Sequence, residues 1–581
     1  MPDLAAMNAS PTWWVLGESA AGELSAVPLT RSGEAGPVVP LSPAALAEFV
    51  AEREAAESPR WVWSDTPHWY PRLLEAGVRI ARCHDLRLCH AILALSERVA
   101  DPVPLRTALE WDAGPTIPVA AARPEATLFD FGVPAAGPDS VPHSLTAALA
   151  EFARQRAAEA TRRDLGLLLA AESAGALIAI EMATAGVPWD VAEHDRLLAA
   201  ELGPRPAPGV KPQAMLTVGE EVRAALGDAT ANLDSPPKLI RALRTAGVDV
   251  ASTSQWELME HEHPVIAPLL RYKKLARLLT ANGWAWLDEW VHEGRYRPVY
   301  VPGGVVTGRW ASSGGGALQL PRQLRPAVRA DPGWRLVSAD VAQLEPRVLA
   351  AYAGDRALAA AARGADLYTG IVETGAVATR EEAKFAMLGA MYGATTGEAG
   401  RLAPRLRRAY PAAMGMLDRA ASTGEQGGKV ATKLGRTSPP PSPEWAAEQS
   451  KASMPGATLA DEARARRTAR DLGRFTRNFI VQGTAAEWAL AWLAGLRSRL
   501  WELPLVTDGP HAAASGRVFS RRAHLVFFLH DEVIVHAPAE QAEAVATAIR
   551  AAADDAGQLL FPGAPVDFPL DLRITERSDA K

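Results

Sequence analysis

Two aspartates lie beside runs of strand-forming residues, where a carboxylate could take part in chemistry. Asp340 ends the apolar stretch of GWRLVSAD, and Asp531 lies in LHDEVIVH between two apolar runs. Magnesium prefers oxygen ligands and keeps part of its water shell, so two aspartates and substrate phosphates could hold two ions. Such ions can activate an attacking 3′-hydroxyl and stabilise a leaving pyrophosphate. The two segments therefore predict a two-metal site for nucleotidyl transfer, provided that rigid strands bring the carboxylates together.

Each aspartate also has an ordinary structural interpretation. Asp340 could cap a helix that begins a few residues later, with Gln343 completing a loose capping box. Asp531 could occupy a tight turn, although its neighbours His530 and Glu532 bring no Gly, Pro or Asn to that turn. The local residues leave both interpretations open.

A third segment, TREEAKFAMLGAMYG, spaces four chemically distinct side chains at intervals of four. These are Arg380, Lys384, Leu388 and Tyr392. The spacing predicts one helical face that carries two cations, then an apolar side chain, then a tyrosine. Such a face suits a nucleoside triphosphate, with the cations on the phosphates and the later residues near sugar and base. The alternative is an ordinary amphipathic helix whose two glutamates make surface ion pairs.

Arginines are concentrated in two further segments. RLAPRLRRAY covers residues 401–410, and DEARARRTARDLGRFTRN covers residues 461–478. The formal net charge of −6 argues weakly against a polyanionic partner, but local clustering matters more than the total. Solvated helix faces are the alternative. The position of both segments between the motifs above favours a nucleic-acid surface.

The elements that must position these residues can be outlined from the pattern. Residues 12–29 resemble a β-hairpin, and strands concentrate around 334–339 and 525–535. The chain becomes strongly helical from about residue 150, and Gly186 is a candidate C-cap. We therefore expect helices to dominate around a few buried strands.

Length and composition limit the class of protein. A chain of 581 residues suggests two or three domains, and 48% hydrophobic with 22% charged residues indicates a globular protein. Two cysteines, Cys83 and Cys89, favour a reducing compartment. The first residues lack a basic start followed by an apolar run, and no uninterrupted apolar stretch of about 18 residues occurs. The expected location is cytoplasmic, with no membrane partner.

Three of these segments together resemble the signature motifs of family A DNA polymerases. DVAQLEPRVLA is similar to motif A, REEAKFAMLGAMYG to motif B and LHDEVIVH to motif C. The resemblance covers roughly Leu165 to Lys581. Five weaker matches to the family occur along the chain in the expected order: NLDSPPKL, RYKKLARLL and VTGRW before motif A, and GKVATKLGR and RFTRNFIVQGTAAE between motifs B and C.

The resemblance implies a role for each matching residue. Asp340 and Asp531 would bind two Mg²⁺ ions, or Mn²⁺ in their place, with help from the backbone carbonyl of Val341. Lys384 would also donate a proton to the leaving pyrophosphate, and Glu345 would crowd the sugar 2′ position. The implied nucleotide-binding residues are Arg380, Lys384, Leu388, Tyr392, Glu345 and Gln343. The implied DNA-binding residues are Arg309, Arg474, Asn478, Gln482 and His530. Tyr392 and Gly393 would lie near the templating base.

This chain departs from the family pattern at two positions. Leu388 stands where the family usually has a bulky aromatic that stacks on the incoming sugar, which puts sugar discrimination in doubt. The fingers read Asp366, Leu367, Tyr368 where the family often has Asp-Ile-His, so a phosphate-contacting histidine is missing. Both metal ligands and both cations of motif B remain, which favours an active enzyme.

Residues 1–160 resemble a degenerate 3′–5′ exonuclease domain. Glu18 lacks its aspartate partner, and Cys89 takes the place of a second acid unless Asp85 substitutes for it. The third motif lacks its tyrosine. Cys83 and Cys89, with the histidines that follow each of them, could suggest zinc, but the spacing matches no common site and favours a strand-helix core.

These patterns predict a multidomain fold of the α+β and α/β classes. An RNase H-like exonuclease-type domain (1–160) would precede a right-hand polymerase domain (161–581), with the thumb at about 165–300, palm at about 301–350 and 480–581, and fingers at about 351–479. The expected function is DNA-directed DNA synthesis from primer-template DNA and dNTPs, in repair or gap filling and without proofreading. A monomer at the nucleoid is expected. The alternatives are a polymerase fold that binds primer-template DNA but has lost catalysis and, less favoured, an exonuclease acting through the first domain.

Overall fold

The structure is a computed structural model of the chain. It describes residues 12–19, 21–114, 140–159, 163–313, 316, 322–364, 366–393 and 397–578. The chain divides into two compact units, of which the first contains Met1–Gly186, Val299–Gly314 and Pro332–Thr575. The second contains Val187–Pro298, Gly315–Asp331 and Glu576–Lys581. The domain boundaries drawn from the sequence stay predictions, and the one at residue 160 falls among residues 160–162, outside the described residues.

Fourteen strands form four sheets within the described ranges. In chain order they are β1 (Trp13–Glu18), β2 (Leu24–Leu29), β3 (Val39–Leu41), β4 (Arg60–Trp63), β5 (Arg82–Asp85), β6 (Val187–Pro188), β7 (Val291–His292), β8 (Arg295–Tyr296), β9 (Tyr300–Val301), β10 (Ala311–Ser312), β11 (Trp334–Val341), β12 (His524–Leu529), β13 (Glu532–Pro538) and β14 (Leu570–Thr575). The first unit holds sheets of order β3-β2-β1-β4-β5, β10-β9 and β12-β13-β11-β14. The second unit holds the sheet β6-β8-β7.

Helices account for most of the remaining described residues, as the pattern predicts. They are α1 (Leu46–Glu57), α2 (Thr66–Glu75), α3 (Leu86–Leu95), α4 (Val103–Arg106), α5 (Leu145–Glu159), α6 (Arg163–Ala185), α7 (Val191–Leu202), α8 (Gln213–Leu226), α9 (Pro236–Thr245), α10 (Gln255–Met259), α11 (Ile266–Asn282), α12 (Trp284–Trp290), α13 (Leu344–Ala353), α14 (Arg356–Ala361), α15 (Leu367–Glu373), α16 (Arg380–Tyr392), α17 (Gly397–Ala409), α18 (Pro411–Glu425), α19 (Pro443–Ala452), α20 (Leu459–Glu502), α21 (Gly516–Phe519) and α22 (Ala542–Leu560). Short 3₁₀ turns include Leu109–Trp111, Arg322–Ala327, Ala513–Ser515 and Ala539–Gln541.

The five-stranded sheet near the N-terminus is mixed. The predicted hairpin is confirmed, because β1 pairs antiparallel with β2 and Trp13 lies opposite Leu29. β1 also pairs parallel with β4, and β4 pairs parallel with β5. Parallel neighbours need a crossover, which α1 and α2 supply along the chain. Trp61 and Trp63 on β4 are fully buried and anchor the core of this sheet.

Helix α6 connects this sheet to the elements that follow. Its C-terminus confirms the predicted C-cap, since Gly186 has φ +67° and its N–H donates to the carbonyl of Met182 at 2.8 Å. The helix belongs to the first unit and packs against β5, α2 and α20. It therefore lies within the same packed unit as the four-stranded sheet.

That four-stranded sheet is antiparallel throughout. β11 lies between β13 and β14, and Asp340 is opposite both Glu532 and Asp571. β12 and β13 form a hairpin joined at His530 and Asp531. Both hairpin strands are almost wholly buried, as expected for their Val, Ile and Phe content.

The longest helix, α20, extends over 44 residues. It begins at a capping box in which Thr458 and Asp461 each bond the other's backbone N–H. The Trp488 and Trp492 side chains in its second half are fully buried. Helices α13, α16, α18 and α22 pack along it.

Two helices are long and apolar enough to cross a membrane by length and composition alone. These are α6, from Asp164, and α20. Most of each apolar window is buried inside the protein, where long core helices of a folded unit pass the same test.

The second unit has a hydrophobic core of its own. Helices α7 to α11 contribute Leu198, Val222, Leu243, Leu258 and Leu269, all nearly inaccessible to solvent. The 3₁₀ turn Arg322–Ala327 packs against α7 within this unit.

Candidate active site

The two predicted carboxylates lie on neighbouring strands of the four-stranded sheet. Asp340 is the penultimate residue of β11, and Asp531 is in the β12–β13 turn next to it. The N–H of Val341 donates to the backbone carbonyl of Asp531 at 2.9 Å, which fixes the turn against β11. The strands therefore bring together two aspartates that are 191 residues apart in sequence.

The two carboxylates lie close enough for the charge of one to act on the other. Burial, followed by the nearby charge of Asp340, raises the pKa of Asp531 to about 6. Two adjoining half-buried carboxylates form a donor set that suits a divalent cation. No group of three or more His, Cys, Asp or Glu side chains placed to hold a metal occurs among the described residues, so the remaining ligands of an ion would be water and substrate oxygens.

The capping interpretation of Asp340 is wrong. Asp340 lies inside β11, and the cap position of α13 belongs to Gln343, whose φ is +49° and whose side chain makes no capping bond. The Gln343 side-chain oxygen instead accepts hydrogen bonds from Arg347 at 3.3 Å and from the N–H of Leu367 at 3.2 Å. Gln343 thus joins the start of α13 to the start of α15.

The turn interpretation of Asp531 is correct in its geometry. His530 has φ +55°, in the left-handed region that favours Gly or Asn, and Asp531 follows it as the second turn residue. Such a backbone conformation costs roughly 1 kcal/mol or more and is often retained at functional sites. The turn presents both side chains to a neighbouring cavity.

A cavity of about 320 Å³ collects most of the predicted site residues. Its lining includes eight of them: Arg309, Gln343, Glu345, Lys384, Leu388, Tyr392, His530 and Asp531. Lys384 on α16 supplies a cation, while Glu345 on α13 and Asp531 supply acids. A partly apolar cleft with convergent charged groups is the usual form of a small-ligand site.

Helix α16 is delimited by strong local signals. Thr379 and Glu382 form a reciprocal capping box at its start, and Gly393 ends it with φ +74°. The four-residue spacing holds for Lys384, Leu388 and Tyr392, which all line the cavity. The structure therefore places Lys384, Leu388 and Tyr392 on one face of the helix as predicted, and their roles toward a nucleotide stay predictions.

Arg380, at the first position of α16, is exposed and lies outside the lining. Its Nε donates to Asp366 at 2.5 Å, and its guanidinium lies 5.6 Å from the ring centre of Tyr368. Tyr368 does line the cavity. Arg380 is thus held at the margin of the site by the start of α15.

Glu345 is held by two side chains across the cavity. The Tyr392 hydroxyl donates to one carboxylate oxygen at 2.9 Å, and Arg309 pairs with the other. Burial and the adjacent Glu345 raise the pKa of Tyr392 to about 12, so the phenol stays protonated and donates at neutral pH. Gln482 on α20 also hydrogen-bonds Tyr392.

The remaining predicted DNA-binding residues lie along α20. Asn478 and Gln482 are buried, and the side-chain oxygen of Asn478 has no hydrogen-bond partner among the described residues. Arg474 is exposed and lines a second cavity instead. The structure thus places these three residues on one helix but not all in one cavity.

Three aromatic residues of the lining were not predicted to bind a ligand. Tyr368, Trp310 and Phe528 all face the main cavity, and the rings of Trp310 and Phe528 meet edge to face at 5.0 Å. Trp310 directly follows Arg309, so its position beside a predicted DNA-binding residue was the one available signal. Phe528 reads in sequence as an ordinary strand residue.

The cysteines and histidines of the N-terminal domain lie in its core. Cys83 and Cys89 are free and buried. His84 hydrogen-bonds Gln155 at 2.7 Å, and His90 hydrogen-bonds Glu151 at 2.8 Å. Both cysteine sulfurs also contact Ser173 on α6, so these side chains pack between strand β5 and the helices, which agrees with the predicted strand-helix core.

An antiparallel sheet with two adjoining aspartates, next to a cationic helix, is the arrangement expected from the polymerase motifs. A sequence model of DNA polymerase family A matches residues 213–575, more than half of the chain. The chain belongs to DNA polymerase family A.

Curated relatives from bacteria show the same family. The thermostable DNA polymerase I of Thermus filiformis is 26% identical over 389 residues, which are 59% of this chain and 41% of that protein. DNA polymerase I of Chloroflexus aurantiacus is 29% identical over 336 residues, which are 53% of this chain and 32% of that protein. This chain therefore spans less than half the length of these relatives.

A solved structure covers more of the chain. The POL domain of Pol1 from M. smegmatis, in complex with DNA primer-template and dNTP, matches with a TM-score of 0.64 at 16% identity. The match covers 96% of this chain and 93% of that one. This chain accordingly has the fold of a family A polymerase domain, with mixed helices and sheets.

Proposed function

We propose that this protein is a DNA-directed DNA polymerase that adds deoxynucleotides to a primer 3′ end. The observation that carries the proposal is the convergence of Asp340 and Asp531 beside a cavity lined by Lys384. Primer-template DNA and dNTPs would be its substrates, as they are the ligands in the similar Pol1 structure. The natural role would be repair or gap filling.

Two divalent ions fit the donor set of Asp340, Asp531 and the Val341 carbonyl. Mg²⁺ is the preferred ion and Mn²⁺ a substitute; bound here, they would stabilise charge on the phosphoryl group during transfer. The pKa of Asp531, which burial and then the charge of Asp340 raise, supports this assignment, because a bound cation would stabilise the ionised carboxylate.

The residues of α16 would bind and neutralise the triphosphate. Lys384 is exposed and lines the cavity, where it would bind the phosphates and donate a proton to the leaving pyrophosphate. Arg380 would join it after exchanging Asp366 for a phosphate. Leu388 and Gln343 would contact the rest of the nucleotide.

Glu345 would select deoxynucleotides by filling the space next to the sugar 2′ position. Its two partners, Arg309 and Tyr392, hold the carboxylate in the cavity. Leu388 offers less surface than an aromatic ring to press the sugar against Glu345. Selection against ribonucleotides by Glu345 would therefore depend strongly on the hydrogen bond from Tyr392.

The DNA would lie along α20 and the β12–β13 turn. Arg309, Asn478, Gln482 and His530 would contact primer and template, with Arg474 further along the template. The side-chain oxygen of buried Asn478 lacks a hydrogen-bond partner among the described residues, which supports a partner supplied by the DNA.

Proofreading would be lost in the N-terminal domain, which we assign as RNase H-like and kept for structure. Cys89 is fully buried against α6, with its sulfur 3.6 Å from the Ser173 hydroxyl. Asp85 is fully buried too and caps α3 by accepting from the N–H of Leu88. Glu18 bonds His68 at 2.9 Å. None of these acids is presented as part of a shared open site.

The remaining assignments follow from the fold of the family. The thumb would comprise about 165–300, the palm about 301–350 and 480–581, and the fingers about 351–479, which assigns the four-stranded sheet to the palm and α14–α19 to the fingers. We assign a cytoplasmic, nucleoid-associated monomer. The second candidate function is a primer-template-binding protein without catalysis, which the Leu388 and Tyr368 departures favour and the retained aspartates oppose.

The proposal is tested with the parent protein, an Asp531→Ala variant and a Lys384→Ala variant. Each is incubated with a labelled primer-template, four dNTPs and magnesium; a lane without dNTPs detects primer shortening. Extension by the parent alone supports the polymerase. Lys384 is exposed, so its variant reports on the site without disturbing the core. Binding of the duplex without extension, in magnesium and in manganese, would refute the polymerase and support the binding protein.

A further inference from the structure

A buried ion pair lies against the loop that carries Arg309. This loop, residues 302–310, joins β9 to β10 and ends with Arg309 and Trp310, which both line the main cavity. Glu172 on α6 accepts a hydrogen bond from Arg436 at 2.6 Å. The side chain of Glu172 is 1% exposed and that of Arg436 is 11% exposed, and neither lines the cavity. The ion pair is therefore outside the candidate active site but next to a segment that reaches it.

Two glycines of the loop make room for the two charged groups. Gly308 has φ +85°, and a Cβ there would lie 2.5 Å from Nε of Arg436. Gly303 has φ +64°, and a Cβ there would lie 2.8 Å from Oε1 of Glu172. Only a residue without a side chain fits at such separations and such φ values. The backbone of the loop thus packs directly on the ion pair at two points.

The two charged groups depend on each other to stay in place. Oε1 of Glu172 and Nε of Arg436 are buried and have no hydrogen-bond partner in the part of the chain that the structure describes. Removal of the carboxylate charge would leave a buried guanidinium without compensation, and the guanidinium would then move toward other acceptors. Because it touches Gly308, such a movement changes the surface that supports the loop.

The backbone of Arg436 is held from the opposite side. Its carbonyl accepts from the N–H of Thr432 at 2.9 Å, and the Thr432 hydroxyl bonds Glu487 on α20. The Arg436 side chain therefore extends from a segment bound to α20 and reaches Glu172 on α6. Anchored at both ends, it forms a fixed support.

The position of the loop determines the position of Arg309. Gly308 and Arg309 are adjacent, and the carbonyl of Arg309 accepts from the N–H of Val305 within the loop at 3.1 Å. The Arg309 side chain pairs with Glu345 on α13. A displacement at Gly308 is therefore transmitted through one peptide unit to the residue that holds Glu345.

We propose that Glu172 and Arg436 are positioning residues that hold Arg309 against Glu345 and so keep Glu345 beside the sugar of the incoming nucleotide. They act through the backbone of the loop at Gly308 and do not touch the nucleotide. This inference rests on the proposed polymerase function, and it adds to sugar selection two residues that lie outside the cavity lining.

The test measures kcat/KM for incorporation of dCTP and of CTP opposite a template guanine. Their ratio is taken within each protein preparation, so a smaller folded fraction affects both values equally. Glu172→Gln removes the charge with almost no change of shape. Gly308→Ala keeps both charged residues and puts a methyl group against the guanidinium. Arg309→Ala and the double variant Glu172→Gln/Arg309→Ala complete a double-mutant cycle.

Glu181→Gln is the matched control. Glu181 is on the same helix, is buried, and pairs with Arg497 at 2.6 Å and with Arg79 at 3.2 Å, neither of which belongs to the loop. Its substitution should lower thermal stability by leaving buried charges uncompensated, while the ratio of dCTP to CTP stays at the parent value.

Glu172→Gln and Gly308→Ala should each lower the discrimination against CTP by about fivefold, as expected when a group that orients the substrate is displaced. Arg309→Ala should lower it at least as far. Glu172→Gln should have no further effect in the Arg309→Ala protein, because its effect passes through Arg309. If Glu172→Gln does not fold, the result for Gly308→Ala decides.

Unchanged discrimination in a folded Glu172→Gln protein, in Gly308→Ala or in Arg309→Ala overturns the proposal. So do independent effects that multiply in the double variant, and so does an equal loss in the Glu181→Gln control, which would indicate a general loosening of the fold. A parent that incorporates no dCTP would refute the polymerase function together with this inference. A parent that incorporates dCTP, with variants that keep its ratio, refutes the positioning role alone.

Discussion

Replacement of Tyr392 by phenylalanine should weaken the discrimination against ribonucleotides. The hydroxyl of Tyr392 donates to Glu345 at 2.9 Å and is one of only two side-chain groups that the described residues offer to that carboxylate. Without it, Arg309 alone would hold Glu345, and the carboxylate could rotate out of the space next to the sugar 2′ position. The ring of residue 392 would remain in place.

The size of the effect follows from the strength of this hydrogen bond. A bond to a charged acceptor is worth roughly 1.5–3 kcal/mol when buried, and the 36% exposure of Tyr392 reduces that to about 1.4 kcal/mol. Such a loss corresponds to about tenfold in relative kcat/KM for rNTP against dNTP. The assay is single-nucleotide incorporation of dCTP and CTP opposite a template guanine. Because the pKa of Tyr392 is raised to about 12, the change should be the same at pH 7 and pH 9.

Two further variants make the result decisive. Tyr368→Phe removes a phenol hydroxyl from the same cavity without touching Glu345, so it should leave the ratio nearly unchanged. Glu345→Ala should lower the discrimination at least as far as Tyr392→Phe. If Glu345→Ala lowers the discrimination against rNTPs and Tyr392→Phe does not, the hydrogen bond from Tyr392 is not what positions Glu345. If neither variant changes the discrimination, Glu345 does not select the sugar.

Three further changes test other parts of the structure. Leu388→Phe should raise the discrimination against rNTPs by about fivefold, because a ring adds roughly 1 kcal/mol of packing on the sugar; the same incorporation assay measures it. Glu487 is buried, and burial raises its pKa to about 7, so the parent loses stability as pH rises through 7. Glu487→Gln should therefore gain up to about 3 kcal/mol above pH 8 and nothing below about pH 4.5, measured as thermal midpoints across pH; an equal effect at both extremes would contradict the assignment. Glu181→Ala should destabilise the protein by about 3–5 kcal/mol, since it leaves buried Arg497 without its carboxylate; a midpoint within about 1 °C of the parent would contradict this.

The local periodicity of α16 correctly predicted which side chains share one face of the helix. The spacing of Lys384, Leu388 and Tyr392 was enough to place three side chains on one face, and the structure aims all three at the cavity. The same spacing failed for Arg380, because a carboxylate 14 residues earlier, Asp366, holds its guanidinium at the margin. The pattern of a helix face contains no information about a partner on another helix.

Long-range pairing accounts for most of what the sequence could not specify. The capping interpretation of Asp340 was reasonable locally, and only the pairing of β11 with β13 shows that strand geometry continues through that residue. The two partners of Glu345 come from segments 36 residues before it and 47 residues after it. The order of the motifs predicted the family, whereas these cross-chain contacts required the fold.

The N-terminal part of the first unit contacts a segment that packs against α20. Arg98, just after α3, donates to the backbone carbonyls of Thr432 and Lys433 at 3.2 and 3.1 Å. The Thr432 hydroxyl in turn bonds buried Glu487 on α20, and the Glu487 carboxylate also accepts from the N–H of Leu434 at 2.9 Å. The segment that contains Thr432 and Leu434 forms few regular backbone hydrogen bonds within itself. Its conformation therefore depends on the contacts from Arg98 and from Glu487 on α20.

Loss of the N-terminal region would remove Arg98 and leave the carbonyls of Thr432 and Lys433 without this donor. These carbonyls lie in the segment that packs against α20, the helix that carries Asn478 and Gln482. The N-terminal region, whose core includes the fully buried Trp61 and Trp63, therefore supports the position of α20 through Arg98.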